Sequence, residues 1–141
     1  MTIIVDAGPI ITFADRRDPL QPAVARVLRE AQEPLVLPAP VTAEIDHLLH
    51  RRFGPGANRP FIEDLAAGHF EVGCLDRGEY EAAAALDRRY TDLRLGLADL
   101  AVIVLAARFN TTRILTFDER HFRAVQPLGG GAFTLLPRDG P

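Results

Sequence analysis

The chain has 141 residues, 48% hydrophobic and 25% charged, with 16 basic residues, all arginine, against 19 acidic ones for a net charge of −3. This length fits one domain over residues 1–141, and the single cysteine, Cys74, excludes an intramolecular disulfide framework and a cysteine zinc cage. The longest apolar stretch, Leu97 to Ala107, carries Asp99 and falls short of the ~20 residues a membrane span needs. No basic-then-apolar leader precedes the first structured run, so the expected compartment is the cytoplasm.

Met1 to Val5 reads as a short buried strand that delivers Asp6 to its C-terminal end, with a turn expected at Ala7-Gly8-Pro9. Asp18-Pro19 then reads as an N-cap and first-turn proline, and Leu20, Val24, Val27, Leu28 and Ala31 continue at helical spacing. Leu35 to Leu37 is a second strand, closed by Pro38. A helix follows from Pro40 to about Arg52, and another from Pro60 to Ala67. Phe70 to Cys74 is a third strand, in which Cys74 reads as a small buried hydrophobe.

Asp76 or Arg77 opens a long helix ending near Tyr90. Leu97 to Phe109, apolar nearly all round, is expected to be a central buried helix. Arg113 to Phe117 and Phe133 to Leu136 complete five strands alternating with helices, an α/β pattern implying a parallel sheet with right-handed crossovers. Ligands of such sheets bind beyond the carboxyl ends of the strands.

Four carboxylates are expected at that edge. Asp6 follows the first strand and Asp118 the fourth, while Glu44 and Asp99 sit in the first turns of helices that begin there. Each has a purely structural alternative: a turn residue for Asp6, a helix-dipole acid for Glu44, a helix-dipole or capping acid for Asp99, and for Asp118 an N-cap on a short helix over Glu119 to Phe122. Asp99 stands among Leu97, Ala98, Leu100 and Ala101, where an unpaired carboxylate is costly. Acids brought within ~4 Å repel by about 4 kcal/mol per pair at an effective dielectric of about 20, and a hard cation relieves that repulsion. Oxygen ligands select Mg²⁺ or Mn²⁺, whose chemistry on a phosphodiester is that of a nuclease. With four of the 19 acids committed to a metal, the rest of the chain is close to charge balance.

Four blocks carry a family resemblance: Ile3-Ile4-Val5-Asp6-Ala7-Gly8-Pro9, Thr42-Ala43-Glu44-Ile45, Leu97-Ala98-Asp99, and Ile114-Leu115-Thr116-Phe117-Asp118-Glu119-Arg120-His121-Phe122. In this order and spacing they resemble the PIN-domain ribonucleases, in particular the VapC toxins of bacterial toxin–antitoxin (VapBC) pairs. The resemblance implies a PIN-like three-layer α/β fold with a central parallel sheet of about five strands flanked by helices. It also implies a Mg²⁺-dependent endoribonuclease acting on tRNA or rRNA, a VapB-like antitoxin partner and a homodimer. Asp6, Glu44, Asp99 and Asp118 look like the family's acidic quartet, and Thr116 like its supporting hydroxyl. Ala7-Gly8 departs from relatives that place Thr or Ser after the first acid. Gly129 to Thr134 resembles the ending of toxins that cut the sarcin–ricin loop.

His50 to Arg59 is an acid-free segment whose Arg51, Arg52 and Arg59 suit a phosphate-backbone clamp, the alternative being a solvated helix end. Asp46 lies on the wrong side of its helix to join Glu44 and is expected to pair with His50 or solvent. His121 is read as a packing or surface histidine, the alternative being an approach to the scissile phosphate. Two other functions compete with the nuclease. One is a non-catalytic PIN-like RNA-binding or interaction module whose acids only cap helices. The other is a haloacid-dehalogenase-like phosphatase, which needs a second Asp where this chain has Gly8 and a lysine where it has none.

Overall fold

The computed structural model describes residues 1–140. Five strands form one all-parallel sheet: β1 (Ile3–Val5), β2 (Leu35–Pro38), β3 (Glu71–Gly73), β4 (Arg113–Leu115) and β5 (Thr134–Leu136), in the order β3-β2-β1-β4-β5. β1 sits at the centre because all three of its residues are apolar and all are buried, as a strand covered on both faces requires. Register pairs Ile4 with Val36 on one side and with Ile114 on the other, and Val5 with Leu115.

Seven α-helices connect and cover the sheet among the described residues: α1 (Ala7–Ala14), α2 (Gln21–Glu30), α3 (Ala39–Phe53), α4 (Arg59–Ala66), α5 (Arg77–Arg89), α6 (Leu97–Arg108) and α7 (Glu119–Ala124). α6 is the central buried helix that its composition predicts, with Leu100 to Ala106 all inside the core. It packs on β1, β2 and β4, and it lies so close to β3 that a Cβ on Gly73 would stand 3.0 Å from the Leu105 side chain. Glycine there sets the sheet-to-helix spacing. α5 opens with the Asp76 side chain accepting from Glu79 N and the Glu79 side chain accepting from Asp76 N, a reciprocal capping box.

Several local expectations are corrected. The Ala7-Gly8-Pro9 turn is instead the first turn of α1, capped by Asp6. Pro9 fits there because an amide in a first helical turn has no intrahelical acceptor, so no hydrogen bond is forfeited. Asp18 does not cap α2. It closes a turn through Leu20 N at 2.9 Å, and the helix starts at Gln21 with Pro22 in its first turn. β3 stops at Gly73, leaving Cys74 exposed rather than buried. Arg51 and Arg52 belong to the last turn of α3 and Arg59 opens α4, so the linker shrinks to residues 54–58. Asp46 accepts from Asn58 Nδ2 at 2.6 Å across that linker, in place of the expected His50 pairing.

Candidate active site

The neighbouring of β1 and β4 decides the geometry of the edge. Asp6 N donates to Leu115 O at 2.9 Å and Thr116 N to Leu136 O at 3.0 Å, so both residues leave the sheet at the same level. Thr116 is buried at 2% exposure; its hydroxyl donates to Asp6 Oδ2 at 2.8 Å and accepts from Asp118 N at 3.0 Å. One hydroxyl thereby fixes two acids. The second Asp6 oxygen accepts from Ala7 N at 2.9 Å.

Asp118 accepts from His121 N at 3.0 Å and so caps α7, while Asp99, in the first turn of α6, lies 3.4 Å from Gly96 N. Asp6, Asp99 and Asp118 therefore do perform the local capping work that was the structural alternative for two of them. They are nevertheless drawn into one electrostatic group. Burial raises the Asp6 carboxyl above its ordinary value, opposed by the Thr116 and Ala7 hydrogen bonds and reinforced by Asp118. Burial raises Asp99 too, with Asp6 and Asp118 adding repulsion. Glu44 is raised by partial burial and then by the charges of Asp6 and Asp99, although its side chain stands on the exposed face of α3.

His121, which the sequence reading put first as a packing or surface histidine, is drawn to the acids. Its Nδ1 is buried 2.8 Å from Asp118 Oδ2 and 3.4 Å from Asp99 Oδ2, yet it is aligned with neither for a hydrogen bond. Phe122, next in α7, packs edge-on against Phe133 at 6.1 Å, and Arg123 binds both Asp139 oxygens at 2.6 and 2.7 Å. These contacts hold the short helix in place. The signal in the sequence was the three-residue spacing from Asp118, which puts both side chains on one helix face.

Donor atoms of Asp99, Asp118 and His121 lie within 4.8 Å of one another, a span that one divalent cation can bridge. Asp6 and Glu44 stand outside that compact triple and couple to it through charge. A mixed oxygen and nitrogen donor set among mutually repelling, partly buried carboxyls fits a divalent metal. Of the expected clamp residues, Arg52 pairs with Asp15 at 3.3 Å and lies 5.4 Å from the centre of the Phe53 ring, while Arg51 and Arg59 are exposed. No helix is long and apolar enough to cross a membrane among the described residues.

Comparison with known proteins agrees with this geometry. Residues 3–126 match the PIN domain family model. The chain is 38% identical over 135 residues to Ribonuclease VapC26 of Mycobacterium tuberculosis, covering 96% of this chain and all of that protein. Among solved structures, M. tuberculosis VapC20, described as a sarcin–ricin loop cleaving toxin, superposes with a TM-score of 0.75 at 17% identity over 82% of this chain and 89% of that one. VapBC2 of Rickettsia felis, solved on a DNA fragment from its promoter, gives 0.67 at 13% identity, covering 91% and 96% of the two chains. A toxin–antitoxin complex from Klebsiella pneumoniae gives 0.64 at 15%, covering 87% and 92%. The five-stranded parallel sheet, the edge acids and the full-length relative converge on one assignment: the chain belongs to the PIN-domain family, on its VapC ribonuclease branch.

Proposed function

We propose that residues 1–141 form one PIN domain acting as a Mg²⁺-dependent endoribonuclease, with Mn²⁺ as a substitute, and that it is the toxin of a type II toxin–antitoxin pair hydrolysing phosphodiester bonds in tRNA or rRNA. The observation that carries this is the hydrogen-bonded chain Asp6–Thr116–Asp118 set against Asp99, in a protein 38% identical along its length to a VapC ribonuclease. On this reading Asp6, Glu44, Asp99 and Asp118 would hold the metal, Asp99 and Asp118 forming the compact donor group with His121 Nδ1 and Asp6 and Glu44 coupling to it through charge. A bound divalent cation supplies Lewis-acid polarisation of the phosphodiester and makes water a better nucleophile for in-line attack.

The rest is the work of the chain itself. The Thr116 hydroxyl and Ala7 N–H pin both Asp6 oxygens and favour the ionised carboxylate against the cost of burial. His121 N–H holds one Asp118 oxygen, leaving the other aimed toward Nδ1 and Asp99. Arg51, Arg52 and Arg59 are the cations assigned to the RNA backbone on this reading, Arg52 being paired with Asp15 in the free protein.

The Rickettsia and Klebsiella neighbours support a VapB-like antitoxin as partner, the family supports a homodimer, and the cytoplasm is where both RNA and antitoxin are found. The VapC20 likeness and the Gly129 to Thr134 segment favour the sarcin–ricin loop as the rRNA target. The capping roles of Asp6, Asp99 and Asp118 favour the non-catalytic module as the second reading. Digestion of total RNA with and without Mg²⁺, with cleavage-site mapping and an Asp99→Asn control, separates them. Discrete Mg²⁺-dependent cuts that disappear in the variant establish the nuclease, whereas intact RNA under all conditions leaves the module.

A further inference from the structure

An open cleft of about 580 Å³ is bordered by residues close in sequence to three of the candidate acids. Gly8, Ile11, Thr12, Leu48, Arg51, Arg52 and Phe117 line it. Three of these follow directly from the acid positions: Gly8 lies two residues past Asp6, Leu48 one helical turn past Glu44, and Phe117 between Thr116 and Asp118. Short stretches of chain therefore tie the cleft to the acids, although none of the four lines it.

Phe117 is its unusual member. Both neighbours are tied into the acid network, yet the ring is 36% exposed, and it also lines a second cavity of about 420 Å³ with Thr116, Pro137 and Arg138. Gly8 leaves it bare on the cleft side, since a Cβ at that position would meet the ring at 3.6 Å.

The lining combines an accessible aromatic ring with two arginines and contains no acid. Arg52 is held by Asp15, while Arg51 is exposed and makes no ion pair among the described residues. An apolar helix has no use for the arginines, and a lone phosphate has none for the ring. A nucleotide uses both, because every base has a π-face that stacks on an aromatic side chain and every phosphate accepts from guanidinium. We propose that Phe117 is the stacking platform for the base of an RNA nucleotide flanking the scissile phosphate, with Arg51 on that nucleotide's backbone phosphate.

The inference rests on the endoribonuclease reading, and the test keeps the two apart. The RNA segment that the wild-type protein cuts is resynthesised with a single abasic nucleotide at each of the two positions on either side of the cut. Cleavage is then measured under single-turnover conditions in Mg²⁺. One abasic position raises the half-saturating protein concentration about 5- to 150-fold for the wild type, the range that one stacked base supplies. Phe117→Leu raises it by a similar factor on intact RNA and shows no further abasic penalty, while Phe117→Tyr keeps the wild-type pattern.

Gly8→Leu, which leaves Phe117 in place and covers its ring, reproduces the Phe117→Leu defect and guards against a folding artefact. Thermal melts accompany all three variants. An abasic penalty as large in Phe117→Leu as in the wild type overturns the stacking assignment and leaves the cleft to a protein partner, with the nuclease reading intact. Failure of the wild type to cut any RNA overturns both.

Discussion

Thr116→Val is the most informative single change, because it removes one hydroxyl and nothing else of that side chain's shape. Two hydrogen bonds go: the donation to Asp6 Oδ2 at 2.8 Å and the acceptance from Asp118 N at 3.0 Å. A hydrogen bond to a charged group contributes about 1.5–3 kcal/mol, and leaving the Asp118 amide without its partner costs about 1 kcal/mol more. The added valine methyl recovers about 0.8 kcal/mol. The net loss for the metal-free protein at pH 7 is about 2–3 kcal/mol, a fall in Tm of roughly 5–10 °C for a chain of this size.

The sign of the pH dependence distinguishes this cause from ordinary core damage. Burial already raises the Asp6 carboxyl above its ordinary 3.8, and Thr116 opposes that rise. Because the folded form holds its proton more tightly than the unfolded one, stability attached to Asp6 is present below the ordinary value and lost as pH rises through the raised one. Without the hydroxyl the group is raised further, so the destabilisation is larger at pH 7 than at pH 4, where less of the Asp6 charge remains to be stabilised. Thr116→Ser, which retains the donor, restores most of the difference. Melting curves in EDTA at both pH values decide the matter; an equal Tm loss at pH 4 and pH 7 refutes the charge-assisted bond.

Asp99→Asn abolishes RNA cleavage while the metal-free protein melts at or a few degrees above the wild-type temperature, since one charge leaves a repelling group; an active variant in the cleavage assay defeats the metal assignment. Activity disappears with EDTA, returns with Mg²⁺ or Mn²⁺ and returns poorly with Ca²⁺, whose looser shell positions water less well; cleavage undiminished by EDTA points to metal-free acid–base chemistry. Neutralising Arg51 and Arg52 together raises KM for RNA and lowers the salt slope by about 0.7–0.9 for each RNA phosphate that no longer has an arginine partner, with the saturated single-turnover rate unchanged. Titrating salt in a binding assay checks this, and an unaltered slope returns the segment to a solvated helix end. Arg123 and Leu135 N–H lower the Asp139 carboxyl from 3.8 to about 2, so its contribution is present above the ordinary value and lost as pH falls toward 2. Asp139→Asn accordingly melts with a shallower decline between pH 4 and pH 2 than the wild type, as circular dichroism at each pH will show.

Much of the architecture was legible because short-range physics writes it. The run Ile3-Ile4-Val5 reads as a strand buried on both faces, and the nearly all-round apolar Leu97–Arg108 segment as a core helix, and both are observed. The positions of Asp6, Glu44, Asp99 and Asp118 follow from where those elements end or begin. Boundaries were less legible where two local readings compete. Ala7-Gly8-Pro9 has the composition of a turn, but with Asp6 as cap it equally opens a helix, and the packing of α1 on α2 and α3 selects the helix. Cys74 falls outside β3 because pairing with β2 ends where Pro38 meets Gly73.

What no local pattern contains is which strands become neighbours. Placing β4 beside β1 joins residues some 110 positions apart, and only that pairing lets the Thr116 hydroxyl reach Asp6. The same closure carries α7 to the start of α6, so that His121 meets Asp99 as well as the adjacent Asp118. It also leaves Phe117 uncovered above Gly8. Sequence determined which groups stand at the sheet edge, because strand and helix termini are set by residues close in the chain. Tertiary structure alone decided their hydrogen bonds, their shared repulsion and the cleft beside them, because those depend on distances across the sheet that chain-local preferences do not encode.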